Sequence, residues 1–181
     1  MRNNKVRSFK AALGGIIAAL SIVLMFSTGI VPTLTYAIPA ICGALLMAVV
    51  IEISPAFAGV IYVAVSILSV LVVADKEAAI MYVAFFGYYP IIKSFIERKP
   101  GIIRSWIIKY FIFNVAVVTA YFAASKVLVI TFADIEFLGK FALPALLLAG
   151  NVVFAIYDIA LTRLVTAYLN VWQKYIKRVF K

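Results

Sequence analysis

The chain has 181 residues, 66% of them hydrophobic and 13% charged, with a net charge of +10 and a mean hydropathy of +1.14. Soluble domains are roughly half apolar, so this composition belongs to an integral membrane protein. Histidine is absent and Cys42 is the single cysteine, which excludes His-containing zinc sites, His-based acid–base catalysis, Cys-His or Ser-His nucleophiles and an intramolecular disulfide.

Crossing the hydrocarbon takes roughly 20 apolar residues per helix. Six stretches meet that demand, over about 8–28, 35–53, 55–74, 76–94, 102–124 and 141–164, followed by a basic amphipathic tail over 165–181. The expectation is an all-α integral membrane protein, a six-transmembrane-helix bundle forming one domain over 1–181. The basic residues flank apolar spans rather than interleaving with exposed aromatics. They point to topology control and anionic lipid, not to nucleic acid.

Span one follows a tail carrying Arg2, Lys5, Arg7 and Lys10. No convincing small-residue cleavage site precedes Pro39, so the segment reads as a retained helix rather than a signal peptide. Ala11, Gly15 and Ala19 recur every four residues, with Gly14 and Ala18 beside them, which leaves one helical face nearly bare of side chain. Such a face lets another helix approach closely, either within the same protein or from a partner.

Pro39 lies near the start of span two and Glu52 at its inner end. Ser54-Pro55 reads as N-cap and first residue of span three. Along that span Tyr62, Ser66 and Ser69 fall on one face as a polar stripe, which either lines a cavity or is satisfied by the helix's own backbone. Asp75-Lys76-Glu77 is the tight outer corner of a helical hairpin, with Asp75 placed to cap span four and Glu77 in its first turn. Gly87-Tyr-Tyr-Pro90 should interrupt and kink that span, because Pro90 removes a backbone bond and crowds the preceding turn. Lys93 to Arg104 reads as the main cytoplasmic loop.

Polar groups inside a membrane need a partner or a purpose. Lys109 in span five and Asp158 in span six each lie about five residues inside a flanking arginine, Arg104 and Arg163. That is a depth on the order of 7 Å at 1.5 Å per residue. The two spans form an antiparallel hairpin, so an intramembrane ion pair Lys109–Asp158 is expected, with Thr162 extending its polar seam. Asn114 and Asn151 are depth-matched nearer the midplane and are placed to hydrogen-bond across the same hairpin. The connector 125–140 is apolar but too short to span, and Asp134 and Glu136 require water, so a partly re-entrant or interfacial lid fits. Trp172, Lys174, Tyr175, Lys177 and Arg178 suit the headgroup zone.

Of the 17 Lys and Arg residues only Lys76, Lys126 and Lys140 fall outside in this arrangement. Both termini are therefore expected on the cytoplasmic side. The outer mouth is bordered by Thr33, Thr35, Tyr36, Asp75, Glu77 and the 125–140 connector. Candidate ligand-binding residues are Tyr36, Tyr62, Ser66, Ser69, Asp75, Glu77, Asn114 and Asn151. No catalytic residue, metal site or cofactor is expected.

The outline, together with Ala11-x-x-x-Gly15-x-x-x-Ala19, resembles the substrate-binding S components of energy-coupling factor (ECF) transporters. The small-residue repeat is similar to the Ala-rich motif by which that family docks its transmembrane coupling subunit, with Gly in place of Ala at position 15. The resemblance implies a non-enzymatic subunit of the bacterial cytoplasmic membrane. It would capture a vitamin or other small nutrient near the outer helix ends, under mobile loops, and pass it to a coupling subunit and ATPases in trans. The absence of a P-loop motif agrees with that division of labour. No signature for riboflavin, thiamine, biotin or folate is legible. The outline is also similar to MreD-like membrane scaffolds, in which the same face of span one contacts another membrane protein and the Asn and Asp residues hold the bundle together. A small proton-coupled carrier using Lys109 and Asp158 is a third reading.

Overall fold

A computed structural model describes residues 2–98, 100–127 and 142–172. The chain divides into two compact units, Met1–Phe137 and Leu138–Lys181, each described by itself. Among the described residues all regular structure is helical. Five helical stretches are long and apolar enough to cross a membrane: Ser8–Ser27, Pro55–Val72, Lys76–Ile96, Ile102–Ala120 and Leu147–Asn170. The second expected span is shorter, a helix of 16 residues over Ala37–Glu52, which at 1.5 Å per residue reaches about 24 Å of a hydrocarbon layer of about 30 Å.

Helix α1 (Arg2–Ser27) turns Gly14, Ile17, Ser21 and Met25 inward at spacings of three and four, and Thr28 just past its end continues the pattern, the period that keeps one face of a helix against its neighbours. It packs on α2 (Ala37–Glu52) and α3 (Pro55–Val72). The approach to α3 is close at Gly14, where a Cβ would stand 2.7 Å from Phe57 Cε1. A 3-10 turn, Pro32–Leu34, connects α1 to α2. Ser54 caps α3, its hydroxyl accepting from Phe57 N–H at 3.2 Å, and Pro55 occupies the first turn, where a missing N–H costs nothing.

The stretch 76–96 is one span in three pieces: α4 (Lys76–Met81), a π turn at Tyr82–Phe86 and α5 (Tyr89–Ile96). The interruption therefore begins before the Gly87–Pro90 segment that announces it in sequence. Pro90 offers no N–H, and the chain accommodates it by widening the preceding turn, with Gly87 N–H donating to Tyr82 C=O at 2.8 Å. The carbonyl of Val83 is thereby left to accept from the Tyr62 hydroxyl at 2.7 Å. Gly87 makes room for that ring, since a Cβ there would lie 2.5 Å from Tyr62 Cδ2. Tyr62, Tyr82, Phe85, Tyr88, Tyr89 and Phe113 form an aromatic cluster around the turn.

The loop expected over Lys93 to Arg104 starts later. Lys93 lies inside α5 and is fully buried, which is tolerable because Glu97, one turn on, neutralises it. The chain then reverses at Gly101, whose φ of +128 only glycine adopts readily, and enters α6 (Ile102–Val127). The second unit holds α7 (Ala142–Ala167), continued by a π turn at Tyr168–Trp172. Asp134, Glu136 and most of the 125–140 connector lie outside the described residues, as does the tail beyond Trp172 with Lys174, Tyr175, Lys177 and Arg178.

Candidate functional site

Three groups of residues singled out by sequence acquire a geometry. The first is the small-residue face of α1. Ala11, Gly15 and Ala19 are exposed, and a Cβ at Gly15 would meet nothing within 4 Å. Ile16, Leu20 and Val23 continue the outward surface, exposed by 65%, 43% and 66%. The repeat is thus split between two jobs: Gly14 admits Phe57 from within the bundle, and Gly15 faces away from it.

The second group ties the start of α2 to the corner between α3 and α4. Thr35 Oγ1 donates to Asp75 Oδ2 at 2.8 Å, and Tyr36 OH donates to Glu77 Oε1 at 2.5 Å. Asp75 also caps α4 through its other oxygen, which accepts from Ala78 N–H at 3.1 Å. Lys76 turns back over the C-terminal end of α3, its ammonium donating to the carbonyls of Val70 and Val73 at 2.8 and 2.9 Å, where the helix dipole favours a cation. Two bonds, Thr35–Asp75 and Tyr36–Glu77, therefore stitch the two connectors together. The Tyr36 hydroxyl is pushed up to about 12 from its usual 10, first by donating to Glu77, then by partial burial and by the negative charges of Glu77 and Asp75.

The third group sits at the other end of the 76–96 span. Glu97 Oε1 lies 2.6 Å from Lys93 Nζ and 2.6 Å from Lys109 Nζ. Lys93 is fully buried and Lys109 is 4% exposed, with its ammonium 5.3 Å above the Trp106 ring. Sequence reading placed Lys109 opposite Asp158 and passed over Lys93 and Glu97. The i, i+4 spacing of Lys93 and Glu97 on the last turns of a span was the available signal. Asp158, buried at 2% exposure, belongs to the second unit, and the Lys109–Asp158 pairing runs between units that are each described alone.

Among the remaining candidates Ser69, Asn114 and Asn151 each make a bond within their own helix. Ser69 Oγ donates to the carbonyl of Ser66 at 2.9 Å, Asn114 Nδ2 to that of Tyr110 at 2.8 Å and Asn151 Nδ2 to that of Leu147 at 2.6 Å, each within its own helix. Thr162 does the same to Asp158 C=O at 2.9 Å. Ser66 Oγ is buried beside this network and has no hydrogen-bond partner among the described residues. The Tyr62 hydroxyl donates to the carbonyl of Val83 at 2.7 Å. Comparison with known protein families, with curated proteins and with solved structures finds no match to the chain.

Proposed function

We propose that this protein is a non-enzymatic subunit of a bacterial cytoplasmic membrane, a six-span bundle with both termini inside. In this reading it captures a small nutrient and works by gripping a second integral membrane protein along α1, in the manner of an ECF S component. The observation that carries the reading is the division between Gly14 and Gly15. The bundle's own packing uses the Gly14 face, so the exposed strip of Ala11, Gly15 and Ala19 remains open for a partner helix to approach to near backbone contact. The short α2 completes the six spans by drawing the bilayer in around it, at a modest cost per ångström of mismatch. Ligand entry at the outer end then requires parting of the Tyr36–Glu77 and Thr35–Asp75 bonds, and the energy for release comes from a coupling subunit and ATPases in trans.

A second reading, an MreD-like scaffold, draws on a different observation. Ser69, Asn114 and Asn151 each bond their own helix backbone, a bond that serves the bundle and needs no ligand. The test is native mass spectrometry of the protein purified gently from its own membranes, beside the variant Gly15→Leu. The importer reading expects co-purifying membrane and ATPase subunits with a stoichiometric small molecule, and loss of the subunits in Gly15→Leu. Undiminished partners in the variant would overturn the docking face. An empty bundle accompanied by cell-wall synthesis proteins would favour the scaffold.

A further inference from the structure

A groove of about 520 Å³ opens where α5 ends and α6 begins, lined by Phe95, Ile96, Arg98, Arg104 and Ile108. We propose that it is a binding site for one acidic phospholipid, whose phosphate sits between the two guanidinium groups and whose acyl chain follows the apolar wall. Its size falls within the roughly 300–1,000 Å³ of small-molecule sites.

The argument starts from charge. Arg98 and Arg104 are both exposed, and among the described residues neither takes part in a hydrogen bond or an ion pair. The carboxylate closest in sequence, Glu97, is already engaged by Lys93 and Lys109. The guanidinium of Arg98 stacks 5.0 Å above the Phe95 ring, which orients a planar donor fork suited to phosphate oxygens. Arg104 stands in the first turn of a helix of 26 residues that has no acidic residue there. A cation at the positive end of a helix dipole is unfavourable by itself, and an anion bound at that end reverses the sign.

The position supplies the rest. Phe95, Ile96 and Ile108 form the apolar wall of the groove, and Ile102, Ile103 and Ile107 on the same helix α6 are exposed by 78%, 79% and 64%, an apolar surface suited to lipid chains. Gly101 holds the reversal that sets Arg98 and Arg104 on its two sides. A headgroup with a negative phosphate and apolar chains matches this combination of two guanidiniums without an ionic partner among the described residues and a wall of Phe95, Ile96 and Ile108. A zwitterionic headgroup offers no net charge to it.

The experiment is native mass spectrometry of the full chain released from nanodiscs containing equal parts phosphatidylglycerol and phosphatidylcholine, compared with Arg98→Gln, Arg104→Gln and the double variant. One retained phosphatidylglycerol per chain is expected. Its retention should fall about fivefold for each arginine removed, the size of one cationic contact at a lipid surface, and fall further at high salt. Ile108→Asp, which keeps both arginines and spoils the chain-binding wall, should also lose the lipid. Equal retention of both lipids by the wild type would overturn the site, as would retention unchanged in the double variant or, should that variant not fold, unchanged in Ile108→Asp.

Discussion

Gly14 and Gly15 are adjacent in the chain and opposite in environment: a Cβ at Gly14 would stand 2.7 Å from Phe57 Cε1, and one at Gly15 would meet nothing within 4 Å. A helix turns 100° per residue, so neighbours on the boundary of a packed face divide in this way. The consequence is a pair of substitutions with different targets. Gly14→Leu should destabilise the bundle by about 2 kcal/mol or more, because the Phe57 ring must leave its place. Gly15→Leu should leave thermal unfolding in detergent within about 0.5 kcal/mol of wild type, as surface changes do. Equal destabilisation by both would mean that α1 does not divide its faces as described.

The Tyr62–Gly87 contact gives a second test. The π turn, the hydroxyl bond to Val83 and the missing side chain at Gly87 form one unit. Gly87→Ala should cost about 1–3 kcal/mol through overpacking against the tyrosine ring. Tyr62→Phe should cost about 1 kcal/mol for the lost hydrogen bond, and Tyr62→Ala should relieve part of the Gly87→Ala penalty. Additive losses in the double variant Tyr62→Ala/Gly87→Ala, measured by denaturant unfolding, would separate the two residues energetically.

Much of this arrangement was open to reading from the chain and some was not. Ser54-Pro55 and Asp75 sit where capping physics puts them, because N-cap chemistry is local and needs no tertiary information. The π turn was signalled only by its consequence, Pro90, since widening by one residue has no composition of its own. Lys93 looked like a loop residue because a lysine at the edge of an apolar run ordinarily snorkels to the interface. Its burial depends on Glu97 and on the approach of α6 bringing Lys109 to the same carboxylate, and the second of these is a tertiary fact. The latch Tyr36–Glu77 joins residues 41 apart in sequence. Both were candidates for an outer mouth, but nothing in their spacing shows that they bind each other.

The glutamate shared by two buried lysines should be the most sensitive charge in the first unit. Replacing Lys93 by Met keeps a similar length and volume, removes a desolvated cation and leaves the half-exposed Glu97 carboxylate paired with Lys109, so its cost is expected to be smaller than that of Glu97→Gln. Glu97→Gln takes from both ammonium groups the negative charge that they share. Its cost is expected at about 2–3 kcal/mol, below the roughly 3–5 kcal/mol of a fully buried pair because 39% of the Glu97 side chain is exposed. Unfolding by heat in detergent should therefore rank Glu97→Gln well below both wild type and Lys93→Met. If Lys93→Met is the more damaging of the two, the carboxylate is not the group that keeps the lysines inside.

The Tyr36–Glu77 latch predicts a pH dependence with a definite sign. The Tyr36 hydroxyl is held up to about 12, above its usual 10, so the protonated donor is the form the fold favours. A raised pKa contributes stability that is complete below the unfolded value near 10 and is lost as pH rises through about 12. The latch should thus survive conditions in which an ordinary exposed tyrosine has ionised. Tyrosinate absorbance of wild type minus Tyr36→Phe should show one group titrating near pH 12, and Glu77→Gln should bring that group down toward 10 by removing both the acceptor's charge and its stronger hydrogen bond. Because Tyr36 is more than half exposed, the accompanying change in stability should be small and should shrink with added salt. A difference titration centred at 10 in wild-type protein would show that Tyr36 and Glu77 are apart in solution, and with them the two connectors that their bond joins.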